Sequence, residues 1–309
     1  MDEWTRRIRG IALAAAALTL AAPNAAAAQD AGARSIDETR PAASDAAVEV
    51  ETVNRTVEVT GSDRDEVRVR GRYYPEHEDF VLEGDRSSLR IELEPKDDHD
   101  MPGDLDVGTL RVELPRGASL ALEGVNGGVT VRNVDGSVEL ESVNGPVSYE
   151  GGARSVEAEA VNGAVSVRAP RARNVSAGSV NGGVELTVDG GHVSAETVSG
   201  DVTIRASGTV DRVRAEAVSG DIEFRGRPTT EAMLSFEAHS GDVVLHLPGD
   251  LSARLEASTF SGDIESAFGG EPEKESRWAP GLSFRHTVGS DGARISAETF
   301  SGDVRFVKE

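Results

Sequence analysis

Nine times between residues 125 and 304 the chain writes nearly the same short phrase: an apolar residue, Asn or Ser, Gly, one variable residue, then Val or Ile. The copies centre on Asn126-Gly127, Asn144-Gly145, Asn162-Gly163, Asn181-Gly182, Ser199-Gly200, Ser219-Gly220, Ser240-Gly241, Ser261-Gly262 and Ser301-Gly302. Their glycines step by 18, 18, 19, 18, 20, 21, 21 and 40 residues. A fixed period near twenty is the signature of a solenoid, each repeat one coil stacked on the last.

Period-2 alternation fills the space between the phrases. Val129 and Val131 flank Thr130, Val138 and Leu140 flank Glu139, and Val213, Ala215 and Ala217 alternate with Arg214 and Glu216. Such runs, bounded by Gly, read as strands with one apolar and one polar face. Midpoint turns such as Val134-Asp135-Gly136, Gly151-Gly152 and Gly190-Gly191 divide each coil in two. Gly is expected to supply the positive φ of these turns, with Asn tolerating it next best. The expectation is an all-β chain: one elongated, parallel β-helix-like β-solenoid with coils of 18–21 residues, the alternative being an up-and-down array of hairpins. At about 4.8 Å per coil, ten coils span roughly 45–50 Å. Seven of the eight Phe fall between Phe224 and Phe306, which predicts a wider core there.

Basic Arg6, Arg7 and Arg9, the apolar stretch Ile11–Ala22 and Ala26-Ala27-Ala28 mark residues 1–28 as a secretory signal peptide, by the ordinary route rather than a twin-arginine one. Residues 29–46 read as a flexible linker and 47–117 as an irregular N-terminal β cap continuous with the solenoid. Residues 118–309 form the repeats, interrupted by a loop or hairpin at about 269–290 that contains Trp278. The chain has no Cys, so disulfides, thiolate metal sites and lipidated cysteines are excluded. Its net charge of −22 becomes −23 without the signal, which opposes binding to nucleic acid and favours cations and basic partners.

The Val-Asn-Gly-x-Val and Val-Ser-Gly-Asp-Val/Ile phrases carry a family resemblance. So do Leu114-Pro115-Arg116-Gly117, Leu247-Pro248-Gly249 and the closing run from Ala293 to Asp303. With these, residues 47–309 resemble the bacterial Toast-rack family of adhesin-like exported proteins. The resemblance implies an exported β-solenoid, with relatives suggested to act in adhesion or envelope-stress signalling, and no catalytic residues to carry over.

The late copies read Ser-Gly-Asp, so stacking should align Asp201, Asp221, Asp242, Asp263 and Asp303 in one column. Each Asp is expected to cap its own turn, with weak Ca2+ binding the minority reading. Asn126, Asn144, Asn162 and Asn181 should stack as a structural ladder. Asp97, Asp98, His99, Asp100, Asp104 and Asp106 read as a solvated acidic loop that fits no metal motif. His77, His192, His239, His246 and His286 are scattered, and His239 replaces Val in one repeat.

No catalytic or cofactor-binding residue is assigned. The expected function is that of a non-enzymatic, adhesin-like or envelope-scaffold protein in the periplasm, at the cell surface or outside the cell. Its partner would be a protein or an envelope polysaccharide, with no transmembrane segment in the mature chain. The alternatives are a periplasmic partner in envelope-stress signalling and, less favoured, a polysaccharide-active β-helix enzyme.

Overall fold

The computed structural model describes residues 32–96, 107–274, 281–290 and 292–309. The signal segment expected over 1–28, the acidic run from Asp97 to Asp106 and Trp278 lie outside these residues. All regular structure in the described residues is β.

The regular coils are simplest. Strands β8 (Ser119–Asn126), β10 (Ser137–Asn144), β12 (Ser155–Asn162), β14 (Asn174–Asn181) and β16 (Gly191–Ser199) stack in parallel as one ladder. Between them β9 (Val129–Arg132), β11 (Val147–Glu150), β13 (Val165–Ala169) and β15 (Val184–Val188) stack as a second ladder. Alternate residues of both ladders, such as Leu120 and Leu122 against Val129 and Val131, meet in one continuous core. Each large apolar side chain buried there contributes about 1.5–3 kcal/mol. Tyr149 is buried among them because its hydroxyl donates to the Val134 carbonyl at 2.6 Å and accepts from the Ala153 N–H at 2.9 Å. Burial pushes its pKa up to about 12.

Where the period grows to 20 and 21, the midpoint turn becomes extended chain. Strands β17 (Val202–Ser219) and β18 (Ile222–Ser240) each begin in ladder two and end in ladder one, with register shifts between Arg205/Thr209 and Val210/Arg212 absorbing the added residues. The Phe-rich expectation holds in part. Phe224 and Phe236 are buried with ring centroids 5.3 Å apart, and Phe284 meets Phe306 at 5.7 Å. Phe260 and Phe300 instead lie on the outside.

Both ends depart from simple winding. At the start, β1 (Arg34–Pro41), β2 (Ala47–Thr52), β3 (Thr56–Ser62), β4 (Glu66–Tyr73), β5 (Glu78–Gly84), β6 (Ser88–Pro95) and β7 (Thr109–Pro115) form the cap. The coil β2–β3 sits between coil β6–β7 and coil β8–β9, while β5 pairs antiparallel with β6 and β4 antiparallel with β7. The segment 29–46, read as a linker, is corrected in its larger part: β1 pairs antiparallel with β4 over eight residues, and Ile36, Ala42 and Ala46 are buried. One inward residue in eight hides this strand from a search for alternation. Its charges and terminal Pro41 suit an outer edge, where they discourage pairing with other chains.

The far end repeats the device. Strands β19 (Val243–Leu247), β20 (Ala253–Ser261), β21 (Ile264–Ser266), β22 (Glu273–Lys274), β23 (Leu282–Val288), β24 (Ala293–Ser301) and β25 (Val304–Lys308) complete the chain. The last coil, β24–β25, inserts between β18–β19 and β20–β21. Among the described residues of the insert expected at about 269–290, β22 pairs antiparallel with β23, and β23 covers the outer edge of β20. Each terminal coil is thus held one layer in, beneath an outer coil that carries antiparallel strands.

Candidate functional site

The repeated phrase itself builds structure. A Cβ on Gly145, Gly163, Gly182, Gly220 or Gly241 would stand 2.0–2.3 Å from the carbonyl oxygen of the glycine in the coil below. Close approach of stacked turns is therefore what Gly satisfies throughout. Positive φ is needed only in some copies, among them Gly127, Gly200, Gly220 and Gly241, and not at Gly145, Gly163 or Gly182. Nor do Asn126, Asn144, Asn162 and Asn181 use positive φ, although Asn54 one coil earlier does, at 59°. Asn144, Asn162 and Asn181 each donate from Nδ2 to Oδ1 of the asparagine before them at 2.8 Å. The ladder begins one coil earlier than the sequence suggests, since Asn126 donates to Asn54. Arg55 stands there in the glycine's place, which hides the copy.

The aspartates do form a column, in the order Asp201, Asp221, Asp242, Asp303, Asp263. The N–H of each donates to Oδ1 of the one before it, at 3.0, 2.8, 2.9 and 3.0 Å. The carboxylates of Asp201, Asp221, Asp242 and Asp303 thus each cap the next coil's turn and not their own. Arg305 lies against Asp242 and Asp303 at 3.3 and 2.6 Å, so the column is partly neutralised. Among the described residues no group of three or more His, Asp or Glu is placed to hold a metal ion. The histidines remain dispersed: His246 lies near Glu223 and Glu309, His286 against Phe284, and His239 stacks on Phe300.

Register reveals what the sequence reading missed. Strands of ladder one point alternate residues outward, and parallel pairing aligns them into four columns along the axis. The first runs Ser137, Ser155, Asn174, His192, Arg212, Met233, Arg294, Arg254. The second runs Glu139, Glu157, Ser176, Ser194, Arg214, Ser235, Ser296, Glu256. The third is carboxylate nearly throughout: Glu92, Glu51, Glu123, Glu141, Glu159, Gly178, Glu196, Glu216, Glu237, Glu298, Ser258. The fourth is the apolar residue of the phrase, ending in the ring stack of His239, Phe300 and Phe260 at 5.2 and 4.8 Å.

The face therefore changes character along its length. The N-terminal half presents glutamates two columns deep, and the consequence is visible at Glu123. Burial, then the charges of Glu51, Glu49 and Glu139, push its pKa up. The C-terminal half replaces the first two columns with arginine and serine. Arg212, Arg214, Arg254 and Arg294, with Ser235, Ser296, Met233 and Glu256, line an open trough of about 600 Å3. A second trough of about 310 Å3 shares Arg212 and Arg214 and continues past His192, Ser194 and Ser176. Arg214 pairs with Glu216. The side chains of Arg212 and Arg294 make no ion pair or hydrogen bond among the described residues. Phe300, Phe260, Val218 and Met233, exposed by 50, 45, 47 and 48 %, all lie on this same half. The outward face of ladder two differs, because its arginines are largely paired, as in Arg205–Glu185 and Arg111–Glu58.

A family model described as Toastrack DUF4097 matches residues 38–306. Among solved structures, a putative adhesin from Bacteroides fragilis is similar at 12 % identity and a TM-score of 0.48, covering 89 % of this chain and 97 % of that one. A putative cell adhesion protein from Clostridium sporogenes is similar at 8 % identity and a TM-score of 0.22, covering 89 % and 100 %. No curated protein matches the chain.

Proposed function

Since the chain belongs to the Toastrack family, we propose that it is a non-enzymatic, adhesin-like protein of the bacterial cell envelope, exported and binding through the outward face of ladder one. One observation supports this reading above others: exposed Arg, Met and Phe gather on one half of a single face. These residue types are enriched where proteins recognise partners. The troughs are open grooves on a rigid sheet, and the aspartates hold turns together, so the geometry favours display of a surface over turnover of a substrate. Among the described residues no helix is long and apolar enough to cross a membrane.

The test is genetic and local. Deleting the chain should reduce attachment of the producing cells to surfaces or to one another, with the chain itself recovered from the envelope or the medium. Wild type should restore attachment, and a variant carrying Arg212→Glu with Phe300→Ser should not. A chain found only in the cytoplasm, or attachment indifferent to both deletion and variant, overturns the reading.

A further inference from the structure

The net charge of −22 describes the whole chain and not the trough, where four arginines face one glutamate. Their spacing follows from the ladder. Arg212 and Arg294 are two coils apart, about 10 Å, with Met233 between them, and Arg254 lies one coil further. An arginine placed on rigid sheet loses little freedom on pairing, and its planar fork suits a carboxylate bidentately.

Hydroxyls accompany the arginines: Ser235 and Ser296 line the first trough among them, and Ser194 and Ser176 continue the second trough beyond Arg212 and Arg214. The two troughs join at Arg212 and Arg214 and run along the axis from β12 to β20. That path follows the stacking of the coils, with its arginines gathered between β17 and β20 and hydroxyl groups along its length.

We propose that this axial trough binds a linear acidic polysaccharide, its carboxylates seated on Arg212 and Arg294 and its hydroxyls hydrogen-bonded to the serine column. The proposal rests on the reading of this face as the binding surface. A repeating polymer matches a repeating wall in a way that a folded acidic protein does not. Nucleic acid fits less well, because His192 is the single ring among the trough's lining residues on which a base could stack. The neighbouring column of Glu216, Glu237 and Glu298 adds a constraint. It repels a chain whose charges are dense and tolerates one whose carboxylates are widely spaced along a polyhydroxylated backbone.

The test measures binding of the purified full chain to hyaluronan, which carries one carboxylate per disaccharide, with dextran sulfate and neutral dextran as the other arms. Hyaluronan should bind, weakening as salt rises, and neutral dextran should not. Arg212→Ala with Arg294→Ala should weaken hyaluronan binding at least about tenfold. Arg132→Ala with Arg168→Ala removes the same charge from the other face and should leave binding unchanged. Thermal melts confirm that each variant is folded, and Arg212→Lys with Arg294→Lys should recover part of the affinity.

Absence of hyaluronan binding overturns the proposal. So does preference for dextran sulfate with equal sensitivity to both alanine pairs, which is ion exchange by net charge. If the Arg212/Arg294 alanine pair abolishes cell attachment while hyaluronan does not bind, the polysaccharide class fails and the binding face stands, with an acidic protein as its partner. If that pair changes neither attachment nor polymer binding, both readings fall.

Discussion

The backbone N–H of Asp303 donates to Oδ1 of Asp242 at 2.9 Å, and Asp263 donates in turn to Asp303 at 3.0 Å. The coil written last is therefore stacked beneath one written forty residues earlier. A chain ending at Gly289 would lack both β24 and β25, leaving β18 and β19 without the coil that stacks on their C-terminal side of the solenoid. It would also lose Ile295, Val304 and Phe306, all fully buried and worth about 1.5–3 kcal/mol each. Against a typical total stability of about 5–15 kcal/mol, that loss is large. The expected outcome is an unfolded or self-associating product by circular dichroism and light scattering. A monomer melting like the parent would contradict the inserted coil.

At the other end the lock is an ion pair. Arg55 Nη2 lies 2.6 Å from Glu78 Oε1 with both side chains fully buried, while Nη1 donates to the carbonyls of Arg72 and Val107 at 2.7 Å. Glu78 also accepts the Tyr74 N–H at 2.9 Å, tying the β4–β5 turn to the inserted first coil. Removing one partner strands a buried charge, so Glu78→Ala should destabilise by about 3–5 kcal/mol in urea unfolding. Replacing Arg55 by Met together with Glu78 by Leu should recover part of that loss. A double variant worse than the single one would show that the carbonyl contacts, and not the charge pairing, hold the cap.

Two glycines of similar appearance should behave oppositely on conversion to alanine. A Cβ on Gly220 would lie 2.0 Å from the Gly200 oxygen, and its φ of 145° is itself strained for alanine. Gly128 meets nothing nearer than 3.5 Å and has ordinary φ. Gly220→Ala should cost several kcal/mol, at the upper end of single substitutions, by about the mechanism of a forced backbone shift. Gly128→Ala should be neutral or stabilise by up to about 1 kcal/mol through the unfolded chain. Paired thermal melts decide it, and similar losses at both positions would refute the stacking argument.

The same phrase that makes the fold legible also conceals its ends. Val-Asn-Gly and Val-Ser-Gly-Asp fix the register within a coil, so the two ladders and the aspartate column follow from spacing. They are nearly identical from copy to copy, so nothing in them says that Asp303 neighbours Asp242 before Asp263. Val53-Asn54-Arg55 does not read as a copy because a charged residue replaces the glycine, and Arg55 is buried only through its distant partner Glu78. The trough is written in residues 212, 214, 233, 235, 254, 256, 294 and 296, which look like ordinary outward positions of separate strands. They become a site only once the inserted coil brings Arg294 between Met233 and Arg254.

The carboxylate column makes a prediction about pH with a definite sign. At Glu123, burial first and then Glu51, Glu49 and Glu139 raise the folded-state pKa above its ordinary value. The folded chain therefore holds this proton more firmly than the unfolded chain does. Its contribution is fully present below the ordinary glutamate value, about 4.3, and is lost as pH rises through the raised one. At neutral pH the ionised Glu123 is a liability, and Glu123→Gln should raise the urea midpoint. That advantage should shrink as pH falls toward 4, where the parent's own carboxyl is protonated. Asp37 and Asp250 act oppositely, since hydrogen bonds from Arg68 and Arg227 lower their pKa values, so the parent's overall profile mixes both signs. The difference between variant and parent isolates the column. Equal midpoints at pH 7 would mean that neighbouring cations or solvent already relieve it, and the stacked glutamates would then impose no strain on the face.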